Sequence, residues 1–360
     1  MTLRIFRLLL VVCAAALLYG SLYPWEFRDY PLWPSLRYRV AYTRGVYLDI
    51  VLNVLVYAPL GVFAALSFRK WSARLAAWLT ISAMSLGIEY TQLWIRTRDG
   101  NLRDFYANSL GALIGVLAGI WFLKRLRIES VAKFFRRDRA AWLLMGVWIL
   151  WQTFPFVPSI RFARVTSFLN LWSAPRFSFL ECGDSLLVGM ALAFLAKSAK
   201  APWPWLGLIG TLLLRGIIIG HSLPLPVFVL TIAGFAATCR FQPSAGLAAP
   251  LMVTWILLRE LSPFSFSNIA APFQFSAVLE ADRIPVIRSL LGKFFLYTST
   301  LWLLKEAGWR LPLATALLSA ILLACELLQR YLPGRTPELT DVILALAGAL
   351  LLTVARKARA

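Results

Sequence analysis

The stretch from Glu89 to Gly111, EYTQLWIRTRDGNLRDFYANSLG, joins two apolar runs through a short polar turn, and its polar residues recur far along the chain. Glu89, Gln92, Arg98, Asp104 and Gly111 return as Glu326, Gln329, Arg335, Asp341 and Gly348, with identical offsets of 3, 9, 15 and 22 from the glutamate. Five coincident identities in otherwise diverged segments predict an internal repeat. The same offsets in the middle of the chain fall on Leu212, Arg215, His221, Val227 and Gly234, so only the glycine persists there.

Working outward, apolar runs end in the aromatic-proline exits Tyr23-Pro24-Trp25, Phe154-Pro155-Phe156 and Ser262-Pro263-Phe264. The following apolar segments open on Asn53, Asp184 and Lys293. These markers divide the chain into a first unit at 1–125, a degenerate middle unit at 138–240 and a second recognisable unit at 247–357. Each holds four apolar segments. The fold predicted is therefore all-α, a polytopic transmembrane bundle of 12 spans in three four-helix repeats, near 5–22, 47–68, 75–95, 104–123, 140–154, 183–199, 203–219, 223–239, 247–262, 289–304, 311–328 and 339–355. Composition agrees: over 360 residues 60% are hydrophobic and 15% charged, more apolar surface than a soluble domain hides.

The net charge of +20 is dealt into links between apolar runs rather than gathered on one face. That pattern excludes a nucleic-acid partner and points to anionic lipid headgroups. Every lysine except Lys293 falls in links that share a side, with Arg69, Lys70, Arg74 and the run from Lys124 to Arg139. The positive-inside rule then predicts both termini in the cytoplasm and the Glu-Gln-Arg-Asp clusters at the outer leaflet of a bacterial inner membrane. Cysteines 13, 182, 239 and 325 have no metal-ligand spacing, and a single histidine, His221, argues against a His-rich zinc site or a serine triad. No metal or cofactor is expected. The long links 23–46, 155–182 and 263–288, rich in aromatics, proline and arginine, are expected along the membrane surface.

Asp49, Asn53, Pro59-Leu60-Gly61, Glu89, Gln92, Arg98, Asp104, Asn108 and Gly111 together resemble the VanZ-like family of bacterial membrane proteins, named for a teicoplanin-resistance protein. The resemblance covers about residues 20–125, and 255–355 less completely: Lys293 replaces Asn53, Ala345 replaces Asn108, and Pro59-Leu60-Gly61 has no counterpart. It implies a cell-envelope setting of the antibiotic-resistance kind and little mechanism.

The residues themselves say more. Glu89 and Gln92 share a helix face, while Asp104, Asn108 and Gly111 form an i, i+4, i+7 stripe on the next helix. Arg98, in the turn between them, is placed to pair with either carboxylate. An ionisable group in an apolar span costs about 2.5–3.5 kcal/mol on insertion scales, so it usually has a partner or a task. A structural clasp and a headgroup site are equally compatible with these residues. The candidate ligand set is Asp49, Asn53, Glu89, Gln92, Arg98, Asp104 and Asn108, repeated as Lys293, Glu326, Gln329, Arg335 and Asp341, and the repeated copy leans toward structure. Gly111, Gly115 and Gly119 predict close helix packing, and His221 is expected at a rim. The leading expectation is a binder of a lipid-linked wall precursor or lipoglycopeptide. The alternatives are an enzyme on a lipid-linked substrate, with Glu89 or Asp104 as acid-base group, and a transporter built from tandem units.

Overall fold

The computed structural model describes all residues except 1, 24, 30–34, 38–43, 126–137, 157–171, 173–176, 219–220, 269–282, 336 and 358–360. Most of the three long links, and of the basic run 124–139, lies outside the described residues. Among those described there are twelve α-helices and no strand: α1 (Thr2–Leu22), α2 (Arg44–Ser67), α3 (Trp71–Gln92), α4 (Leu102–Arg125), α5 (Arg139–Thr153), α6 (Phe179–Ala199), α7 (Pro204–Ile217), α8 (Leu225–Phe241), α9 (Ala245–Leu261), α10 (Arg283–Glu306), α11 (Leu311–Gln329) and α12 (Thr340–Lys357). Each apolar segment read from the sequence overlaps one of these helices, though several run a residue or more past its ends, as 75–95 does past α3.

Local chemistry sets the ends. Asp138 caps α5 by accepting from the Ala141 N–H at 3.1 Å. Prolines occupy the first turns of α7, α8 and α11, where a missing N–H costs nothing. Lys200 and Gln242 turn left-handed to stop α6 and α8.

Apolar side chains such as Leu8, Val51, Leu110, Leu213, Leu313 and Leu350 stand exposed on the helix surfaces. So much exposed leucine and valine is the surface a bilayer solvates. Four segments are long and apolar enough to cross a bilayer outright: Asp49–Ser67, Leu102–Trp121, Phe179–Ala199 and Leu311–Gln329. Phe6–Leu22, Leu225–Phe241 and Thr340–Ala355 are shorter apolar helices. The chain is a multi-pass helical membrane protein.

The chain divides into two compact units, 1–133 with 155–165, and 134–154 with 166–360. In the first, α2 and α4 pack closest. The glycines explain why. A Cβ at Gly111 would run into the Val54 carbonyl, one at Gly115 into the Ala58 carbonyl, and one at Gly61 into the Ala112 carbonyl. The expected glycine stripe is thus a packing surface, and Gly61 of the Pro-Leu-Gly run answers it from α2. Trp78 adds a tie from α3, donating to the Ser109 carbonyl at 3.0 Å.

In the second unit α6 packs on α8 and α10 on α12 in the same manner. Gly189 abuts Thr231, Gly234 abuts Leu186 and Gly348 abuts Thr298. The two four-helix sets of this unit share one apolar core, since α5 lies against α10 and α12 and α9 lies against α6. Their contact is reciprocal: the Trp151 ring of α5 covers Gly292 of α10, and the Trp255 ring of α9 covers Gly183 of α6. Gly183 and Gly292 each directly precede the polar residue, Asp184 or Lys293, that marks its segment.

Candidate functional site

The polar residues meet where α1 and α3 end and α4 begins. The last carbonyls of a helix have no intrahelical donor and carry partial negative charge. Arg98 supplies both remedies to α1, donating through Nε to the Tyr23 carbonyl at 3.3 Å and through Nη2 to the Gly20 carbonyl at 3.2 Å. Gln92 adds a third bond, from Nε2 to the Ser21 carbonyl at 2.8 Å. Glu89, 4% exposed, accepts the Asn101 N–H at 3.0 Å, and Asn101 in turn caps α4 through its side chain on the Arg103 N–H at 3.0 Å. The carboxylate of α3 therefore holds the start of α4, and Arg98 and Gln92 hold the end of α1.

The second unit repeats this geometry at α9, α11 and α12. Arg335 donates to the carbonyls of Ser262 at 3.0 Å and Arg259 at 2.8 Å. Gln329 donates to the Glu260 carbonyl at 3.1 Å, and Glu326 accepts the Glu338 N–H at 2.7 Å. Glu89 and Glu326 each reach an N–H exactly twelve residues on in sequence. At the end of α5 His221 places Nε2 2.6 Å from the Phe154 carbonyl, the counterpart of Tyr23 and Ser262 before each proline. Arg215 donates from Nη1 to Gln152 Oε1 at 2.8 Å. The middle set thus keeps the clasp with other letters, and His221, expected at a rim, is one of its donors. Trp25, Phe156 and Phe264, after the three prolines, share a left-handed backbone with φ of 66°, 63° and 62°. Such a conformation costs an L-residue roughly 1–2 kcal/mol and persists only where the surroundings enforce it.

Bonds from a charged donor to a carbonyl stabilise by about 1.5–3 kcal/mol each. Arg98→Ala and Arg335→Ala are accordingly expected to lose stability to a similar degree, roughly 2 kcal/mol or more, read as matched drops in detergent melting temperature. A drop in only one of them would show that the two arginines do different work.

The other expected site residues separate from the clasp. Asp104 forms a partly buried pair with Arg103 at 3.0 Å. Asp49, exposed on the first turns of α2, lies within electrostatic reach of both. Asn53, one turn further, is partly buried. Asn108, 3% exposed, donates from Nδ2 to Ser85 Oγ at 3.0 Å, while its Oδ1 has no partner. Arg103 was missed in the sequence because its neighbour Asp104 carried the repeat.

In the second unit, Lys293 donates to both oxygens of Asp341 at 2.7 and 2.8 Å. Tyr297, fully buried, donates its hydroxyl toward Asp341 at 2.8 Å and Glu260 at 3.1 Å. Gln329 also reaches Glu260 Oε2 at 3.2 Å. Glu260 was missed because its counterparts three residues before the other two prolines are Ser21 and Gln152. Alignment on the prolines is the signal that finds it.

A family model described as VanZ/LLP1 matches residues 6–124. No curated protein and no solved structure matches the chain.

Proposed function

We infer, on the premise that residues 6–124 belong to the VanZ-like family, that the chain is a cell-envelope protein of the bacterial inner membrane that binds the polar headgroup of an amphiphile at the outer leaflet. The clasp, in this reading, is scaffold rather than receptor: Glu89, Gln92 and Arg98 are occupied by main-chain groups. The receptor is what the clasp positions, namely Asp49, Asn53, the Arg103–Asp104 pair and Asn108. One observation carries it. The Asn108 Oδ1 is buried without a donor, which costs about 1–3 kcal/mol, and the copy has Ala345 in its place. A hydroxyl- or amide-bearing headgroup, as in a lipid-linked wall precursor or a lipoglycopeptide, supplies such donors.

The repeated clasp supports an internal repeat of three four-helix sets crossing the bilayer twelve times. The basic links support cytoplasmic termini. Two competing readings are less well served: Glu89 and Asp104, the acid-base candidates of an enzyme, are bonded to Asn101 and Arg103, and a transporter would hold its charges near the centre of spans.

Native mass spectrometry of gently extracted protein tests the reading. The wild type is expected to carry a polyprenyl-linked lipid that Asn108→Ala loses without a fall in melting temperature. Absence of any such lipid from the wild type across detergents would overturn it. Cysteines at Thr97 and Pro333, both exposed, are expected to react with an impermeant reagent from outside; protection of both would reverse the orientation.

A further inference from the structure

At the end of the middle set opposite its clasp, α6 and α8 stop and α7 begins around a cavity of about 360 Å³. Pockets that take small ligands run from about 300 to 1,000 Å³. Phe194, Lys197, Lys200, Phe235, Cys239 and Gln242 are among the side chains that line this one.

The lining carries two ammoniums, of Lys197 and Lys200, and no carboxylate. The sequence shows the same imbalance on a larger scale, since from 185 to 259 the chain has no aspartate or glutamate. Asp138 reaches the end of α6 through the Ser198 hydroxyl, but it also caps α5 and lies outside the lining. Arg139 follows it and Arg240 ends α8, so this one acid is outnumbered. Nor are the ammoniums spent on the helix ends. Lys200 and Ala201 donate their main-chain N–H groups to the carbonyls of Lys197 and Ala196 at 3.1 and 2.9 Å, and Gln242 donates its own to Thr238 at 3.0 Å. Lys197 gives one of its three protons to Gln242 Oε1 at 3.2 Å, which leaves the Gln242 amide nitrogen as a donor.

The backbone points the same way. Lys200 and Gln242 both stand left-handed, with φ of 50° and 47°, where glycine is the usual and less strained residue. The chain instead places there two long polar side chains that line one cavity, a conformational cost that argues for a use of those side chains. The depth is that of lipid headgroups. The apolar span Phe179–Ala199 ends here, and Trp203, Trp205 and Phe241 stand exposed at the same end, as aromatic residues do at a bilayer interface. Beside the ammoniums the wall is apolar, with Phe194 and a Phe235 ring that meets the Trp205 ring at 4.6 Å between centroids.

We propose that this cavity binds an anionic phospholipid of the leaflet opposite the set's own clasp. The phosphate lies on Lys197, Lys200 and the Gln242 amide, and the first carbons of its chains lie against Phe194 and Phe235. Basic pockets between membrane helices hold phospholipid headgroups in this way. The site is independent of the Asn108 reading, for it uses other residues in the other compact unit.

Cys239, exposed and in the lining, is a built-in reporter. The full chain in a nonionic detergent is treated with N-ethylmaleimide, and labelling is read cysteine by cysteine from peptide masses. Dioctanoyl phosphatidylglycerol is expected to slow labelling of Cys239 several-fold and to leave Cys182, at the start of α6, unchanged. Dioctanoyl phosphatidylcholine and inorganic phosphate are expected to protect neither. Lys197→Gln and Lys200→Gly are each expected to raise the phosphatidylglycerol concentration needed about fivefold, the effect of one cation beside an anionic headgroup. Glycine adopts the left-handed conformation freely, so Lys200→Gly is expected to keep or raise the melting temperature while it weakens protection. A merely structural lysine would not separate the two readings. Equal protection by phosphatidylcholine would make the cavity a general apolar groove, and equal protection by inorganic phosphate would make it a free-anion site; either overturns the proposal. So would equal slowing at Cys182, no protection by phosphatidylglycerol, or wild-type protection in both variants.

Discussion

Gly115→Ala is expected to destabilise the first unit strongly, although it adds a single methyl group. The new Cβ would run into the Ala58 carbonyl on α2, and backbone does not rotate aside as a side chain does. Either α2 and α4 separate along their length, breaking the Gly111, Gly61 and Gly119 contacts together, or the helix bends. Overpacking a close contact costs typically about 1–3 kcal/mol and more where backbone is the obstacle. For a unit of this size that corresponds to a melting temperature lower by roughly 10 °C or more. Gly87→Ala on α3 is the control, since a Cβ there meets nothing within 4 Å. It is expected to be neutral or stabilising by up to about 1 kcal/mol through helix propensity. Equal melting of the two variants would show that the α2–α4 seam does not hold this unit together.

Lys293→Met is expected to be the most damaging change in the second unit. Asp341, 1% exposed, has two oxygens on the Lys293 ammonium and one on the Tyr297 hydroxyl, which itself faces Glu260. Removing the ammonium leaves two carboxylates, Asp341 and Glu260, sharing one hydroxyl in an apolar surround. Breaking one side of a buried pair costs about 3–5 kcal/mol, mostly the stranded charge, while replacing both sides with apolar residues is often close to neutral. The double variant Lys293→Met, Asp341→Leu is therefore expected to recover most of the lost melting temperature. A double variant as unstable as the single would place the cost in lost packing rather than in the unpaired carboxylate. First-unit function should be indifferent to both variants, because both lie in the other compact unit, where Lys293 and Asp341 stand at the places of Asn53 and Asp104.

The helices were legible because apolar runs and prolines are written directly in the letters, and every segment expected between 5–22 and 339–355 overlaps one helix. The glycine stripe of α4 was legible for the same reason. Twelve crossings were less so: α5 has 15 residues and α7 has 14, short of the roughly 20 that span a bilayer upright. The polar clusters were visible as a pattern, but the main-chain acceptors that complete them were not. Arg98 was set against carboxylates because charge shows in a sequence, whereas the carbonyls of Gly20 and Tyr23 belong to the backbone of a helix more than 70 residues away and show nowhere. His221 escaped because a changed letter kept an unchanged task.

The clasp has one more consequence, for which substitutions it tolerates. At the aromatic-proline exits its acceptors are main-chain oxygens, which every residue possesses, so mutation at Tyr23, Phe154 or Ser262 cannot delete them. At these exits only the donor depends on the side chain, and at 221 an imidazole takes the place that a guanidinium holds at 98 and 335. A helix end held in this way keeps its acceptor whatever residue stands there, so substitution at Tyr23 is tolerated as far as this bond is concerned, while substitution at Arg98 is not.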